Sequence, residues 1–215
     1  MGPEGSNLKI SENGQDFFAL DRSAYTENGF FVDIGASDGI TASNTFILEK
    51  FYKWRGICVD PNPAFQQSLM NCRDNFVSTL CVYNETGKIL PFKFCVDENQ
   101  FYGWNFRSGL EKHLGTIDTD IDKSFMTINV LSITLNDLLA LYQAPTDINY
   151  ISIDTEGSEY EILKTFDFKK YNVKCFTIEH EFTSNRQLIH DLMIKNGYNL
   201  FTDFNTENED WYFKS

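Results

Sequence analysis

Short hydrophobic runs rich in β-branched and aromatic residues recur along the chain and predict β-strands. The predicted strands cover residues 30–34, 56–60, 76–83, 89–96, 127–133, 150–154, 174–179, 198–203 and 210–214. Segments with helical periodicity lie between most of these strands. Strands that alternate with helices imply parallel crossover connections. The pattern therefore predicts an α/β fold whose mostly parallel sheet is covered on both faces.

The helical segments are recognised by apolar spacing and by capping residues. Residues 41–54 and 64–73 repeat apolar side chains every three or four positions, as a helix packed on a sheet does. Capping residues indicate further helix starts at Thr134 with Asp137, at Ser158 with Glu161, and at Ser184. Asn196-Gly197 predicts a left-handed end for the last of these helices.

Two connections depart from the alternation. Residues 84–87 join two strand-like runs and predict a short hairpin turn. Residues 97–125 form a long polar and aromatic segment, which we interpret as an insertion over the functional site. Aromatic rings stack well on sugar rings, and binding specificity often lies in long loops. A satellite core under the loop is the alternative, but we favour an acceptor-binding lid with Trp104, Arg107 and His113 as its contacts.

Composition limits the partners. The 215 residues are 42% hydrophobic, enough for one domain with a core. We assign residues 7–215 to that domain, because residues 1–6 resemble the remnant of an expression tag. A net charge of −13 argues against nucleic acid or an anionic membrane as partner. No run is long enough for a membrane span, and five scattered cysteines favour a reducing, cytoplasmic location.

The first predicted strand ends abruptly on a glycine-containing turn from Asp33 to Gly39. In doubly wound sheets, ligands bind beyond the carboxyl ends of the strands, and glycines let them approach the backbone. The turn matches neither phosphate-binding pattern, GxGxxG or GxxxxGK[ST]. Asp33 and Asp38 would repel a pyrophosphate, so the turn favours a ligand that carries positive charge.

S-adenosylmethionine meets these requirements, because it carries an amino group, a sulfonium ion and a ribose with two hydroxyl groups. Asp60 ends the next predicted strand in the segment GICVDPNP. Nucleotide-binding folds place an acidic residue for the ribose about 20 positions beyond the glycine turn. We therefore predict that Asp60 binds the ribose of this cofactor.

Four segments in this order resemble the FkbM-type methyltransferases, which are class I S-adenosylmethionine-dependent enzymes. They are NGFFVDIGASDGITASNTFILEK, WRGICVDPNP, YISIDTEGSEYEIL and FTIEHEF, and SENGQD is similar to the opening segment of the family. The resemblance implies a Rossmann-like fold with a mostly parallel seven-stranded sheet, helices on both faces, an inserted hairpin and a lid. It also implies methyl transfer to hydroxyl or other groups of varied sugars, macrolides and lipids.

This interpretation predicts a set of cofactor-binding residues. They are Gln15, Asp33, Gly35, Ala36, Gly39, Asn44 and Asp60, with Cys81 and Val82 beside the adenine.

Asp154 ends a predicted strand in the segment DTEGSE and is expected at the carboxyl edge of the sheet, facing the sulfonium methyl group. Transfer to an alcohol needs a close acceptor oxygen and removal of its proton. In one route, Glu156 or His180 is the general base and Asp154 orients the reactants. In the other, Asp154 and one or two of Glu179, His180 and Glu181 bind Mg²⁺ or Mn²⁺, while Glu156 takes the proton.

The metal route gains from a further resemblance. Catechol O-methyltransferase and certain metal-dependent sugar O-methyltransferases place ligands at the ends of the same two strands. Here Glu-His-Glu stands in place of their Asp-Asp or Asp-Asn pair. Both routes therefore stay open on the sequence.

The sequence as a whole predicts an O-methyltransferase that acts on a hydroxyl group of a sugar, such as a deoxyhexose like rhamnose, in a glycan or glycoconjugate. One alternative is a nucleotide-linked oxidoreductase, which the missing GxGxxG disfavours. The other alternative is a glycan-binding module whose cofactor site is inactive. Binding of S-adenosylmethionine separates the first prediction from both alternatives.

Overall fold

The structure, a computed structural model, describes residues 11–95, 108–114, 125–180, 183–203 and 208–214. Its helices are α1 (Gln15–Arg22), α2 (Phe46–Tyr52), α3 (Pro63–Cys72), α4 (Leu135–Leu141), α5 (Glu159–Leu163) and α6 (Asn185–Lys195). Its strands are β1 (Phe30–Ile34), β2 (Arg55–Val59), β3 (Phe76–Ser78), β4 (Cys81–Val82), β5 (Ile89–Cys95), β6 (Gly109–Leu110), β7 (Phe125–Ile133), β8 (Asp147–Ile153), β9 (Asn172–Glu179), β10 (Asn199–Leu200) and β11 (Glu209–Phe213).

The larger sheet has the strand order β10-β11-β9-β8-β1-β2-β3. Neighbours from β9 to β3 pair in parallel, and β11 runs antiparallel to both β9 and β10. The strand order reverses between β1 and β8, which is where such sheets bind ligands. The predicted α/β class and the mostly parallel seven-stranded sheet are confirmed.

Alternate residues of the central strands pack on opposite faces of this sheet. Val32 and Ile34 pack with α4, α5 and α6 on one face. Phe31 packs with α1, α2 and α3 on the other face. Because β1, β2 and β8 are buried on both faces, their ends are held firmly in the middle of the molecule.

Caps explain where several helices begin. Asn62 caps α3 by accepting a hydrogen bond from the Ala64 amide at 3.0 Å. Thr134 accepts the Asp137 amide at 3.1 Å, as predicted for α4. α5 begins directly after Ser158, as predicted, but the expected capping bond is absent, because the Ser158 hydroxyl donates to Thr155 Oγ1 instead. Ser184 precedes α6 but makes no side-chain capping bond.

A smaller sheet has the order β4-β7-β5-β6. β4 pairs in parallel with β7, while β5 runs antiparallel to β7 and to β6. The strand predicted over residues 76–83 is therefore divided between β3 of the large sheet and β4 of the small one. The hairpin predicted at residues 84–87 is also wrong, because β4 and β5 each pair with β7 rather than with one another.

Helix α1 was not predicted from the sequence. Its residues Phe18, Ala19 and Leu20 are buried against the sheet. Within the part of the chain that the structure describes, no helix combines the length and apolar character needed to cross a bilayer.

Candidate active site

One row of residues follows the carboxyl ends of the central strands. Ile34 of β1 is level with Val59 of β2 and Ile153 of β8. The next residue of each strand, Gly35, Asp60 and Asp154, therefore lies in the same row. Ile153 is level with Ile178 of β9, so Glu179 continues the row. β11 adds Glu209, which pairs with Glu179.

Gly35 is required where the end of β1 passes close to Asp154 at the end of β8. Its φ is +90°, and a Cβ atom on it would lie 1.7 Å from the Asp154 carbonyl oxygen. The backbone amides of Gly35 and Ala36 both donate to the Val59 carbonyl, at 2.9 and 3.1 Å. The turn after β1 is thus fixed between the ends of its two neighbouring strands.

Asp60 is buried and joins the turns after β1 and β2. Its carboxylate accepts the Ser37 amide and the Asn62 amide, each at 2.8 Å. Burial raises its pKa to about 6, although these hydrogen bonds act in the opposite direction. Each carboxylate oxygen retains a second lone pair for a ligand hydroxyl group.

A narrow cleft opens along this row between the two sheets, with about 40 Å³ of space that water-sized groups can reach. Its described lining includes five residues predicted from the sequence, namely Gly35, Asp60, Cys81, Val82 and Asp154. The small sheet contributes Phe92, Ser108, Gly109 and Leu110 to the lining, and sequence reasoning did not assign these residues.

Asp33 and Asp38, the two carboxylates of the glycine turn, are not among the residues that line the cleft. Asp33 is 3% exposed and accepts a hydrogen bond from Thr45 Oγ1 at 2.5 Å. Burial raises the pKa of Asp33, and the nearby Arg73 charge lowers it. Asp38 binds the amides of Ile40 and Thr41. The carboxylates that we expected to face a cationic ligand therefore organise the loop itself.

Arg73 holds the glycine turn in place through hydrogen bonds to several of its groups. Its guanidinium group donates to Glu49 at 2.8 Å, to the Gly39 carbonyl at 3.0 Å, to Ser43 Oγ at 3.2 Å and to Thr45 Oγ1 at 2.7 Å. The side chains of Arg73 and Glu49 are 0% and 3% exposed. Burial acts to raise the pKa of Glu49, but the Arg73 charge together with hydrogen bonds from Asn75, the Asp74 amide and Arg73 lowers it. This buried ion pair therefore holds Gly39 and the start of α2 in place.

Asn44 and Gln15 are also tied into polar networks. Asn44 Nδ2 donates to Ser152 Oγ at 2.9 Å, which links the glycine turn to β8. Gln15 Nε2 donates to Glu209 Oε1 at 2.7 Å, and Asn13 Nδ2 donates to the same oxygen at 3.0 Å. Glu209 thus joins the segment before α1 to the row of carboxylates.

Asp154 and Glu179 form a pair of carboxyl groups. Asp154 opens into the cleft, and Glu179 donates a hydrogen bond to it. Loss of solvation by the surrounding protein atoms raises the pKa of Asp154. Burial and the neighbouring Asp154 charge raise the pKa of Glu179. The pair therefore retains a proton at pH values where isolated carboxyl groups have lost theirs.

Glu156 and His180, the other predicted catalytic residues, have different settings. Glu156 has a φ of +58° and Gly157 a φ of +106°, so the chain turns sharply after β8. This strained turn places Glu156 beside Gly109 of the cleft wall. His180 is 2% exposed, and its Nε2 lies 3.7 Å from Asp210 Oδ1. His180 is thus directed towards β11.

The described residues do not fit the predicted metal site. Asp154 and Glu179 are adjacent, but His180 is directed towards Asp210. Over residues 11–95, 108–114, 125–180, 183–203 and 208–214, no group of three or more His, Cys, Asp or Glu side chains is arranged to hold a metal ion. Glu181 lies outside the described residues. The described side chains therefore do not support the metal route.

The predicted acceptor contacts lie only in part within the described residues. Trp104 and Arg107 are outside them. His113 is half-buried, and its Nε2 lies 3.3 Å from the Tyr83 hydroxyl group. Burial, together with the Lys112 charge, lowers the pKa of His113. The role of all three residues in acceptor binding remains a prediction.

The raised pKa of Asp60 leads to a prediction about stability. A carboxyl group with a raised folded-state pKa stabilises the fold when protonated, and this contribution is lost as pH rises through the folded-state value. We expect Asp60 to account for a fall of about 1 to 2 kcal/mol in the free energy of unfolding between pH 5 and pH 8. Urea unfolding of the wild type and Asp60→Asn should show a flatter pH dependence for the variant. Equal slopes would contradict the assignment.

Comparison with known proteins agrees with this geometry. A protein-family profile described as "Methyltransferase FkbM domain" matches residues 33–200, well over half of the chain. The chain belongs to the FkbM methyltransferase family. The family match confirms the resemblance seen in the sequence motifs, and S-adenosylmethionine is the methyl donor expected of an FkbM methyltransferase. The matched residues include the whole row from the glycine turn through Glu179.

Solved methyltransferase structures are similar to this FkbM chain at low sequence identity. A precorrin-6y C5,15-methyltransferase from Geobacter metallireducens GS-15 shares 10% identity with a TM-score of 0.49, covering 97% of this chain and 90% of that chain. A human methyltransferase 10 domain containing protein shares 12% identity with a TM-score of 0.46, covering 93% and 79%. The METTL16 methyltransferase domain shares 10% identity with a TM-score of 0.45, covering 92% and 78%. The sequence has no significant match among curated proteins.

Proposed function

We propose that this FkbM methyltransferase transfers a methyl group from S-adenosylmethionine to a hydroxyl group of a sugar, such as a deoxyhexose, in a glycan or glycoconjugate. The observation that carries the proposal is the position of Asp154. Its carboxylate opens into the cleft one residue beyond β8, beside Gly35 and in the same row as Asp60. A proton acceptor therefore stands beside the site where the methyl group would be held.

The ends of β1 and β2 would hold the donor. Gly35 lines the cleft, and Asp60 has lone pairs for the ribose hydroxyl groups. Cys81 and Val82 give an apolar wall for the adenine. When bound, S-adenosylmethionine supplies an electrophilic methyl group on a positively charged sulfur.

Asp154 would then act as the general base. The acceptor oxygen forms a bond to the methyl carbon, the carbon–sulfur bond breaks, and its electron pair stays on sulfur. The acceptor proton passes to the carboxylate. Since a base works best when its pKa is near the working pH, the raised pKa of Asp154 suits this role. Glu156 is the second candidate base, because its turn lies next to Asp154 at the wall of the cleft.

The acidic surroundings are compatible with this donor. The Glu179, Glu159 and Glu209 carboxyl groups contribute to the electrostatic setting of Asp154. Glu159 is 1% exposed, and it accepts the amides of Thr155 and Gly157 at 2.9 and 3.0 Å. Negative charge at this edge of the sheet attracts the sulfonium ion of the donor before transfer. That attraction is lost afterwards, because the sulfur of the product is neutral.

Methyl transfer by Asp154→Asn provides the test. We expect the substitution to lower turnover at saturating donor by about 100- to 10,000-fold, the usual contribution of a general base. Asp147→Asn is the matched control, because Asp147 is the first residue of the same strand and lies exposed at the opposite edge of the sheet. The assay follows isotope-labelled methyl transfer to a panel of free sugars, glycans, amines and RNA.

The panel also tests the acceptor class. Transfer confined to amines or RNA would contradict a sugar hydroxyl acceptor. Donor binding without transfer to any member of the panel would favour the glycan-binding module with an inactive site. Full turnover by Asp154→Asn would remove Asp154 as the base and direct attention to Glu156.

A further inference from the structure

The described segment 108–114, which we call the strap, belongs to the small sheet but reaches the active-site row. Leu110 pairs with Phe92 and Gly109 pairs with Lys93, so β5 fixes the backbone of the strap. Ser108, Gly109 and Leu110 line the cleft opposite the ends of β1, β2 and β8. The strap is therefore the place where the small sheet meets the candidate donor site.

One side of the strap is tied to the end of β2. Asn62 Nδ2 donates a hydrogen bond to Ser108 Oγ at 3.3 Å. The amide of the same Asn62 donates to Asp60 Oδ1 at 2.8 Å. A short chain of contacts thus connects the strap with the carboxylate proposed to bind the ribose.

The other side of the strap lies against the turn after β8. A Cβ atom on Gly109 would lie 3.3 Å from Glu156 Cβ and 3.3 Å from the Thr155 carbonyl oxygen. A Cβ atom on Gly157 would lie 3.2 Å from the His113 carbonyl oxygen. The two backbones approach so closely that each has a glycine at the contact.

Glycine is needed at position 109 because the turn after β8 leaves little space for a side chain there. Among the positive-φ glycines of the described residues are Gly35, Gly39 and Gly157, but Gly109 is not one of them. A side chain at Gly109 would therefore not strain its own backbone. It would push the strap away from Thr155 and Glu156, which separates a positioning effect from a conformational one.

We propose that the strap is a positioning element of the donor site, in which Ser108 and Gly109 set the separation between the turn after β2 and the turn after β8. This proposal rests on the proposed function, because it assumes that S-adenosylmethionine binds between these two turns. The strap controls how tightly the donor is held and how quickly the product leaves. It thereby gives the described part of the predicted acceptor insertion a role towards the donor.

The test compares Gly109→Val with Phe94→Leu. Phe94 lies in the core of the same small sheet and is not among the residues that line the cleft. Calorimetric titration with S-adenosylmethionine and S-adenosylhomocysteine gives Kd, and thermal unfolding gives Tm. We expect Gly109→Val to raise both Kd values by about 10- to 100-fold, as misplacement by about 1 Å can do. Phe94→Leu should lower Tm at least as much and leave Kd within about twofold, because its effect is confined to packing.

Smaller variants keep the proposal testable if Gly109→Val does not fold. Gly109→Ala adds one methyl group, and Ser108→Ala removes the bond to Asn62. Both should speed the dissociation of S-adenosylhomocysteine in a stopped-flow experiment. Wild-type affinity and wild-type dissociation rates in these variants would overturn the role of the strap. A Phe94→Leu control whose Kd rises in the same proportion to its loss of Tm would overturn it as well. Failure of the wild type to bind the donor would instead overturn the proposed function.

Discussion

Substitution of Gly35 by alanine is expected to destabilise the protein by more than about 4 kcal/mol, an exceptional loss for a single methyl group. The added Cβ atom would lie 1.7 Å from the carbonyl oxygen of Asp154. Relief of that overlap requires β1 and β8 to separate at the row that carries the site. We therefore expect a protein that fails to fold, or one that folds without binding the donor.

Gly87→Ala is the matched control for this prediction. Gly87 has a φ of +85°, close to the +90° of Gly35, but a Cβ atom on Gly87 would have no neighbouring atom within 4 Å. Its substitution should cost only the backbone strain, about 1 to 2 kcal/mol. Urea unfolding of the two variants measures the difference. Similar losses at both positions would show that the close approach of Gly35 to Asp154 is not a constraint.

Substitution of Arg73 by methionine is expected to cost about 3 to 5 kcal/mol, because it removes the buried partner of Glu49 and leaves that carboxylate only the partly exposed Lys50, 3.0 Å away. It also removes the donors that hold the Gly39 carbonyl and Thr45 Oγ1. Since Thr45 in turn binds Asp33, the glycine turn should loosen and donor affinity should fall. Unfolding in urea and titration with S-adenosylhomocysteine measure the two effects.

A double-mutant cycle distinguishes the ion pair from general packing. Arg73→Met combined with Glu49→Gln should be less destabilised than the sum of the single variants, because the Glu49 charge that Arg73 compensates is removed as well. Arg73→Lys should recover little, since an ammonium group cannot make the several directed bonds of the guanidinium. Additive losses, or full recovery with lysine, would contradict this account of Arg73.

The sequence predicted the row of residues well because its signals are local. Gly35, Asp60 and Asp154 each end a hydrophobic run, and parallel strands bring their carboxyl ends to one edge. Glu209 was missed because it begins its strand. Only the antiparallel direction of β11 brings that residue to the same edge, and strand direction is absent from the hydrophobic pattern.

Contacts between distant parts of the chain explain the other differences. Cys81 and Val82 pair with Ser132 and Ile133, about fifty positions later, so no local pattern could divide them from β3. Helix α1 is anchored by bonds from Asn13 and Gln15 to Glu209 near the other end of the chain. The orientation of His180 depends equally on Asp210, which arrives from β11.

The source of the negative charge at the cleft differs most from the expectation. Asp33 and Asp38 were expected to face a cationic ligand, but both bind groups of the loop to which they belong. The negative charge at the cleft comes instead from Asp60, Asp154 and their neighbours. The charge pattern of the sequence thus led to the proposed kind of ligand, while the residues that would face it depended on side-chain packing.

Calorimetric titration of the wild type with S-adenosylmethionine tests the central claim most directly, with S-adenosylhomocysteine and NAD⁺ titrated in parallel. We expect saturable one-to-one binding of both adenosyl ligands with Kd in the micromolar range, which corresponds to a binding free energy of about −8 kcal/mol. NAD⁺ should not bind. Asp60→Asn should weaken that binding, because it removes the proposed ribose acceptor. Binding of NAD⁺ alone, or binding of none of the three ligands, would contradict the assignment of this cleft as a methyl-donor site.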